Sequence, residues 1–119
     1  SLPEDGPALA TKALDAEMER RGRVPSLLLQ ALEYDRAQGN RAQALQRLEA
    51  LRAQGWSAAR HGLLEGDIWS EDGDTVEARR AGQRGLDALD QLPIRRRTTR
   101  SALRTRADLE SRLTGSESR

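Results

Sequence analysis

Few side chains in this sequence could carry out chemistry, and His61 is the first to consider. It is the only histidine, and no second histidine or cysteine lies at metal-ligand spacing, because the 119 residues contain no cysteine. The sequence also lacks a nucleophile beside a base, a glycine-rich phosphate loop and a pair of carboxylates suited to a cleft. We therefore expect no catalytic residue, no metal site, no cofactor and no small-molecule substrate.

Acidic residues are concentrated between positions 65 and 77, with no basic residue among them. Asp72 and Asp74 flank Gly73 as in the start of a calcium loop, yet the ligand spacing of an EF-hand is missing. Asp74 and Glu77 fit better as the N-cap and capping-box partner of a helix. We interpret the run as the solvated acidic end of a helix.

Basic residues form a second run, again without opposite charges between them: Arg95, Arg96, Arg97, Arg100, Arg104 and Arg106. On one continuous helix, steps of three and four residues would place Arg96, Arg100 and Arg104 on one side with Arg97. Such a side could bind phosphate, an anionic polymer or an acidic protein surface. Equally, these arginines could pair with the acidic run at 65–77, and the sequence leaves both interpretations open.

The composition favours helices over sheets. Apolar residues make up 36% of the chain, charged residues 33% and aromatic residues 3%. Ala, Leu, Arg, Glu and Gln dominate, and all of them favour helix formation. The net charge of +1 argues against general nucleic-acid binding, and the missing aromatics argue against stacking on single strands. No apolar run approaches the roughly 20 residues of a membrane-spanning helix.

Turn signals divide the chain into helical segments. Gly6–Pro7, Gly39–Asn40 and Gly73–Asp74 each combine a helix-ending residue with one suited to begin the next helix. Weaker breaks fall at Gly22–Pro25, at Gly55–Ser57 and at Leu92–Pro93. We predict six helices joined by short loops and followed by a frayed tail at 114–119, with the helices at 7–21, 26–38, 41–54, 58–71, 75–91 and 94–113.

The turn and small residues recur with one period. Gly39 and Gly73 are 34 residues apart, and so are Ala44 and Ala78. A helix–turn–helix unit of about 34 residues is typical of tetratricopeptide repeats, abbreviated TPR. The alternative is a helical bundle whose helices have similar lengths by chance.

The chain resembles the TPR family over nearly its whole length. The residues that carry the resemblance are Leu28, Ala31, Leu32, Gly39, Ala44, Leu48 and Leu51 in one unit, and Gly62, Gly66, Trp69, Gly73, Ala78, Gly82 and Gly85 in the next. The family's early tryptophan is missing from both units, and Asp35 stands where the other unit has Trp69. Gly82 and Gly85 each cost about 1 kcal/mol inside a helix, so we expect a neighbouring backbone to approach them closely.

We predict an all-α fold of antiparallel helix–turn–helix repeats stacked as a TPR-like right-handed solenoid. A single domain would cover residues 1–119, with the second helix of a first unit at 7–21, further units at 26–54 and 58–91, and a terminal or capping helix at 94–113. We expect the sequence to be a piece of a longer protein.

The resemblance implies that partners bind the concave face, which the first helix of each unit lines. By the repeat register that face carries Gln30, Glu33, Arg36, Arg60, Asp67, Ser70, Arg97, Ser101 and Arg104. The family's clamp for a peptide's terminal carboxylate uses Lys and Asn, and neither occurs there. We therefore expect a folded surface or a polymer as the partner, and not a short peptide tail.

Two functions follow as hypotheses. In composition the repeats resemble the periplasmic TPR regions of bacterial exopolysaccharide-secretion proteins, the Pel-type and cellulose-type exporters of the outer membrane. That resemblance implies a scaffold for biofilm polymer export, on the periplasmic side of the outer membrane, that recruits a polysaccharide-modifying enzyme. The alternative is a regulatory module, located in the cytoplasm if not exported, that binds an anionic partner or nucleic acid through the Arg-rich last helix.

Overall fold

The computed structural model describes residues 5–21 and 24–117, which form helices and no strand. In chain order the helices are α1 (Asp5–Arg21), α2 (Pro25–Ala37), α3 (Arg41–Ala53), α4 (Ala58–Glu71), α5 (Thr75–Asp90), α6 (Ile94–Arg97) and α7 (Arg100–Glu117). Neighbouring helices pack against each other in three pairs: α1 with α2, α2 with α3, and α4 with α5. The all-α, TPR-like class predicted from the sequence is confirmed.

Polar caps and glycine turns set the helix boundaries. The side chains of Asn40, Ser57 and Asp74 each accept a hydrogen bond from the backbone N–H three residues later, at 3.3, 3.1 and 3.2 Å. Gly39 and Gly73 adopt positive φ angles of 72° and 80°, a conformation that other residues rarely enter. The repeated turn glycines therefore end α2 and α4 as predicted.

The predicted single helix at 94–113 is wrong, because the chain breaks at two threonines. The Thr98 hydroxyl donates to the carbonyl of Ile94 at 2.9 Å and closes α6. The Thr99 hydroxyl accepts from the N–H of Ala102 at 3.1 Å and begins α7. The Thr99 hydroxyl thus acts as an N-cap, which favours the start of a new helix at this position.

Both ends of the described chain are more helical than predicted. Gly6 and Pro7 lie inside α1, so they form a first helical turn and not an interhelical turn. The tail predicted at 114–119 is helical as far as Glu117, and residues 118–119 lie outside the described part. Ala107, where the period would place the next turn glycine, lies inside α7, so this helix departs from the repeat.

The described helices belong to two compact units, Ser1–Gly55 and Trp56–Arg119. In the first unit α2 packs against both α1 and α3. In the second unit α4 and α5 form a hairpin, and α7 packs against both of them. The prediction of one continuous solenoid over 1–119 stays a prediction.

A buried arginine connects the three helices of the first unit. Arg47 of α3 is 6% exposed, and its Nε donates to Oδ2 of Asp35 in α2 at 3.0 Å. Its Nη1 and Nη2 donate to the two carboxylate oxygens of Asp15 in α1, at 2.6 and 3.2 Å. The Arg47 guanidinium therefore bridges α1 and α2 from a buried position on α3, and nothing in the sequence analysis singled it out.

The surroundings of this ion cluster shift the pKa of both buried partners. Burial raises the pKa of Asp35 above its ordinary value of 3.8, although the hydrogen bond and charge of Arg47 oppose the shift. Burial acts to lower the pKa of Arg47, but the bonds to Asp15 and Asp35 more than offset it, and the pKa is raised. The Oδ1 atom of Asp35 is buried without a hydrogen-bond partner among the described residues, so Arg47 is its carboxylate's main compensation.

Glycines bring the backbones of α4 and α5 into contact in the second unit. A Cβ atom on Gly62 would lie 2.6 Å from the carbonyl oxygen of Ala81 and 2.9 Å from the backbone of Gly85. A Cβ atom on Gly66 would lie 3.2 Å from the carbonyl oxygen of Ala78. Glycine is therefore required at position 62, because any side chain there would collide with the backbone of α5.

The glycines of α5 also receive α7. A Cβ on Gly85 would lie 3.0 Å from the Leu109 side chain and 3.1 Å from the carbonyl oxygen of Ala59. A Cβ on Gly82 would meet only the side chain of Leu113, at 3.3 Å. The expected close backbone approach is therefore present at Gly85, whereas Gly82 faces a leucine tip.

Substituting Gly62→Ala should lower the free energy of unfolding by about 1–3 kcal/mol, because rigid backbone atoms would have to separate. Gly82→Ala is the matched control, since the leucine tip can move and the gain in helix propensity of about 1 kcal/mol offsets the contact. Urea unfolding followed by circular dichroism measures both. Equal stability of the two variants would contradict the proposed backbone contact.

Substituting Arg47→Met should lower the free energy of unfolding by about 3–5 kcal/mol, because it leaves a buried carboxylate without its cation. The double variant Asp35→Leu/Arg47→Met should regain most of the loss, since it removes both charges. Chemical denaturation of the single and double variants measures this. A double variant as unstable as Arg47→Met would show that the packing of Arg47, and not charge compensation, is responsible.

The Asp35 carboxyl should titrate above 3.8 in the folded chain, as measured by its carboxyl carbon chemical shift. Because the folded pKa lies above the unfolded one, the contribution of Asp35 to stability is complete below 3.8 and is lost as the pH rises through the folded pKa. In Arg47→Met the midpoint should rise further, because the cation that lowers it is gone. A wild-type midpoint below 3.8 would refute the dominance of burial.

Candidate partner-binding surface

In the first unit the predicted site residues all lie on α2. Gln30 and Glu33 are exposed, and half-buried Arg36 donates to the Glu33 carboxylate at 3.0 Å. Steps of three residues keep them near one side of the helix. This side of α2 is a short polar surface with one internal ion pair, and its role in binding stays a prediction.

In the second unit the predicted residues of α4 are Arg60, Asp67 and Ser70. The exposed Arg60 places its guanidinium carbon 4.1 Å from the centre of the Trp56 ring, a cation–π geometry. Asp67 is half-buried and Ser70 is exposed. The last two residues both line a cavity, whereas the arginine is held over an aromatic ring.

A cavity of about 160 Å³ lies where α4, α5 and α7 meet. Its floor is apolar and is formed by glycine backbone and leucine side chains: Gly62, Gly66, Gly82, Leu109 and Leu113. Its rim is polar and consists of Asp67, Ser70, Arg79 and Arg112. A space of about 150 Å³ with apolar walls can hold a molecule the size of benzene, so one apolar side chain would fit.

An ion pair fixes one edge of this cavity. Nε and Nη2 of Arg112 in α7 donate to the two carboxylate oxygens of Asp67 in α4, at 2.9 and 3.3 Å. Sequence reasoning selected Asp67 but missed Arg112, because the intervening Asp108 and Glu110 separate Arg112 from the basic run. Only the packing of α7 on α4 shows that the two residues meet.

The acidic run at 65–77 is largely engaged within its own unit. Glu65 accepts hydrogen bonds from Trp69 Nε1 at 3.2 Å and from Arg84 Nη2 at 2.9 Å, and His61 Nδ1 lies 3.5 Å away. Glu77 accepts from Arg80 at 3.0 Å. The described residues contain no group of three metal-binding side chains. The interpretation of this run as merely solvated is therefore too simple, since its carboxylates join α4 to α5 and α7.

The arginines of the basic run do not pair with the acidic run at 65–77, which was one of the two interpretations left open by the sequence. Arg106 donates to Asp90 at 2.6 Å, which lies outside the acidic run. The side chains of the other five arginines, Arg95, Arg96, Arg97, Arg100 and Arg104, form no hydrogen bond or ion pair with any described residue. Pairing of this run with residues 65–77 is therefore wrong, and Arg84, Arg80 and Arg112 take those carboxylates instead.

The last three predicted site residues lie near the break between α6 and α7. Arg97 ends α6 and is half-buried, whereas Ser101 and Arg104 lie on α7 and are exposed. The break at Thr98 means that one continuous helix side, as predicted for these arginines, does not exist.

None of the described helices is long and apolar enough to cross a membrane.

Comparison with known proteins agrees with this architecture. The family model described as a tetratricopeptide repeat-like domain matches residues 8–108, which is most of the chain. Neither the curated proteins nor the solved structures contain a significant match. Helical hairpins with a 34-residue period, small residues at the hairpin crossings and the family match lead to one conclusion: the chain belongs to the tetratricopeptide repeat-like domain family.

Proposed function

We propose that the chain is a non-catalytic scaffold that binds a protein partner at the surface where α4, α5 and α7 meet. Domains of this family are typically non-catalytic and suggest protein partners. The observation that carries the proposal is the cavity between α4, α5 and α7. Its apolar floor and charged rim match what a protein interface needs around an anchoring side chain.

The cavity is suited to an anchor for physical reasons. Glycine backbone and leucine side chains line its floor, so an apolar side chain that enters it would lose contact with water on the side that faces the floor. The rim supplies a carboxylate, a hydroxyl and guanidinium groups that can bond the backbone of the same partner segment. Because Arg112 already orders Asp67, binding costs little further side-chain entropy at this edge.

The finer proposal is that the parent protein acts in bacterial exopolysaccharide export, on the periplasmic side of the outer membrane. The Arg-, Ala- and Leu-rich composition of the repeats supports it, and the missing Lys and Asn of the carboxylate clamp favours a folded partner. A cysteine-free chain is compatible with the periplasm. The partner would then be an enzyme that modifies the polymer.

Substituting Ser70→Trp should weaken partner binding about tenfold or more, because the indole would cover the cavity from its rim. Gln46→Trp, on the exposed side of α3, is the control and should change nothing. The measurement is calorimetric titration with a purified polysaccharide-modifying enzyme, which is the proposed class of partner.

The outcomes distinguish the general scaffold role from the specific role in polymer export. If that enzyme does not bind but another protein of the source cell binds and is sensitive to Ser70→Trp, the export role is wrong and the scaffold role holds. If protein partners bind both variants equally, the cavity is not the anchor site.

A further inference from the structure

The junction of α6 and α7 carries a surface that the cavity does not explain. We call it the basic surface and define it by Arg95, Arg96, Arg97, Arg100 and Arg104, together with the aliphatic residues Ile94 and Leu103. Four of the five arginines are exposed and Arg97 is half-buried. The five arginines lie within ten successive residues, from 95 to 104, on both sides of the break between α6 and α7.

The arginines of the basic surface differ from other arginines of the same unit, which form ion pairs. Elsewhere in the same unit Arg80, Arg84, Arg106 and Arg112 each bond a carboxylate. The five arginines of the basic surface bond none among the described residues, and neither α6 nor α7 has an acidic residue in its first turn. Solvent and salt screen their mutual repulsion, and an incoming anion would meet guanidinium groups that have no ion-pair partner among the described residues.

The residue types narrow the kind of anion. All five cations are arginines, whose planar guanidinium bonds a carboxylate or a phosphate through two parallel N–H groups, so the neighbouring side chains must distinguish between the two anions. Ile94 is 69% exposed and Leu103 is 52% exposed, beside Arg95 and Arg104. An apolar residue gains nothing from a phosphate backbone, and the surface has no aromatic residue on which a base could stack.

The arrangement of side chains on α7 suits a partner segment that carries both charged and apolar residues. Arg100, Leu103 and Arg104 are related by steps of three and four residues, so they share one exposed side of the helix. Leu109 and Leu113 lie on the other side, against α5 and the cavity. A partner on the basic surface would therefore leave the cavity accessible.

We propose that the basic surface docks an acidic segment of a partner protein in which Asp or Glu residues are interspersed with aliphatic ones. The carboxylates would bond the guanidinium groups, and the aliphatic side chains would cover Ile94 and Leu103. This inference rests on the proposed scaffold function and names a second contact, separate from the cavity, through which the scaffold holds its partner.

The test uses fluorescence anisotropy of the full chain with labelled probes of about 15 residues or nucleotides. The probes are a peptide alternating Glu and Leu, the same peptide with Ser for Leu, and a single-stranded DNA; vesicles containing an anionic lipid are the fourth probe. We expect the Glu–Leu peptide to bind most tightly, and its affinity to fall between about 50 and 200 mM salt.

The double variant Arg100→Ala/Arg104→Ala should weaken that binding about tenfold or more, and Leu103→Ser should weaken it severalfold. The matched control is Arg80→Ala/Arg84→Ala, which removes two exposed arginines of the same unit that are already paired. Arginine and alanine both favour helices, and circular dichroism checks that each variant stays folded.

Three results would overturn the inference. Tighter binding of DNA or of vesicles would replace the acidic segment with another class of partner. An equal loss in the control variant would show that net charge, and not this surface, is responsible. No binding by the Glu–Leu peptide would refute the site itself, while the Ser70→Trp experiment on the cavity would still stand.

Discussion

The contact between the backbones of α4 and α5 is the constraint on which the second unit depends. Gly62 lies against the carbonyl oxygen of Ala81 and the backbone of Gly85, at distances that no side chain tolerates. Because α4 and α5 are so close, α7 can place Leu109 and Leu113 over the glycines of α5. The same placement brings Arg112 to Asp67 and leaves the cavity between the three helices.

In the first unit, charged residues occupy the repeat positions that hold uncharged residues in the second unit. Asp35 and Arg47 occupy the places that Trp69 and Ala81 occupy one period later. A tryptophan and a small residue fill the position in α4 and α5, whereas an ion pair bridged to Asp15 fills it in α2 and α3. A buried ion pair is weak support for stability, because desolvation offsets much of its attraction. What it adds here is geometry, since one guanidinium orients carboxylates from two other helices.

In the second unit some charged side chains form ion pairs within the fold, and others lie on the surface without such a pair. The carboxylates of Glu65, Asp67 and Glu77 are engaged by arginines of α5 and α7, which ties the acidic run into the fold. The arginines at the junction of α6 and α7 receive none of this compensation. A nearly neutral chain therefore still presents a locally positive surface, and the net charge alone conceals it.

The sequence by itself determined the fold class, the family and most helix boundaries. Turn glycines at 39 and 73 and polar caps at 40 and 74 act through local backbone geometry, so their spacing predicts the hairpins without knowledge of packing. Thr98 and Thr99 are also local, yet their effect depends on hydrogen bonds of their hydroxyls at the helix ends, which helix propensity does not capture.

Only the tertiary structure decided which charges meet. Asp67 and Arg112 are 45 residues apart, and Asp15 and Arg47 are 32 apart, so no periodic pattern connects them. The requirement for glycine at 62 likewise arises from a neighbouring helix and not from its own. Pairing and close approach depend on distances between helices. For that reason the sequence predicted a basic run on α6 and α7, but not that five of its six arginines form no ion pair with a described residue.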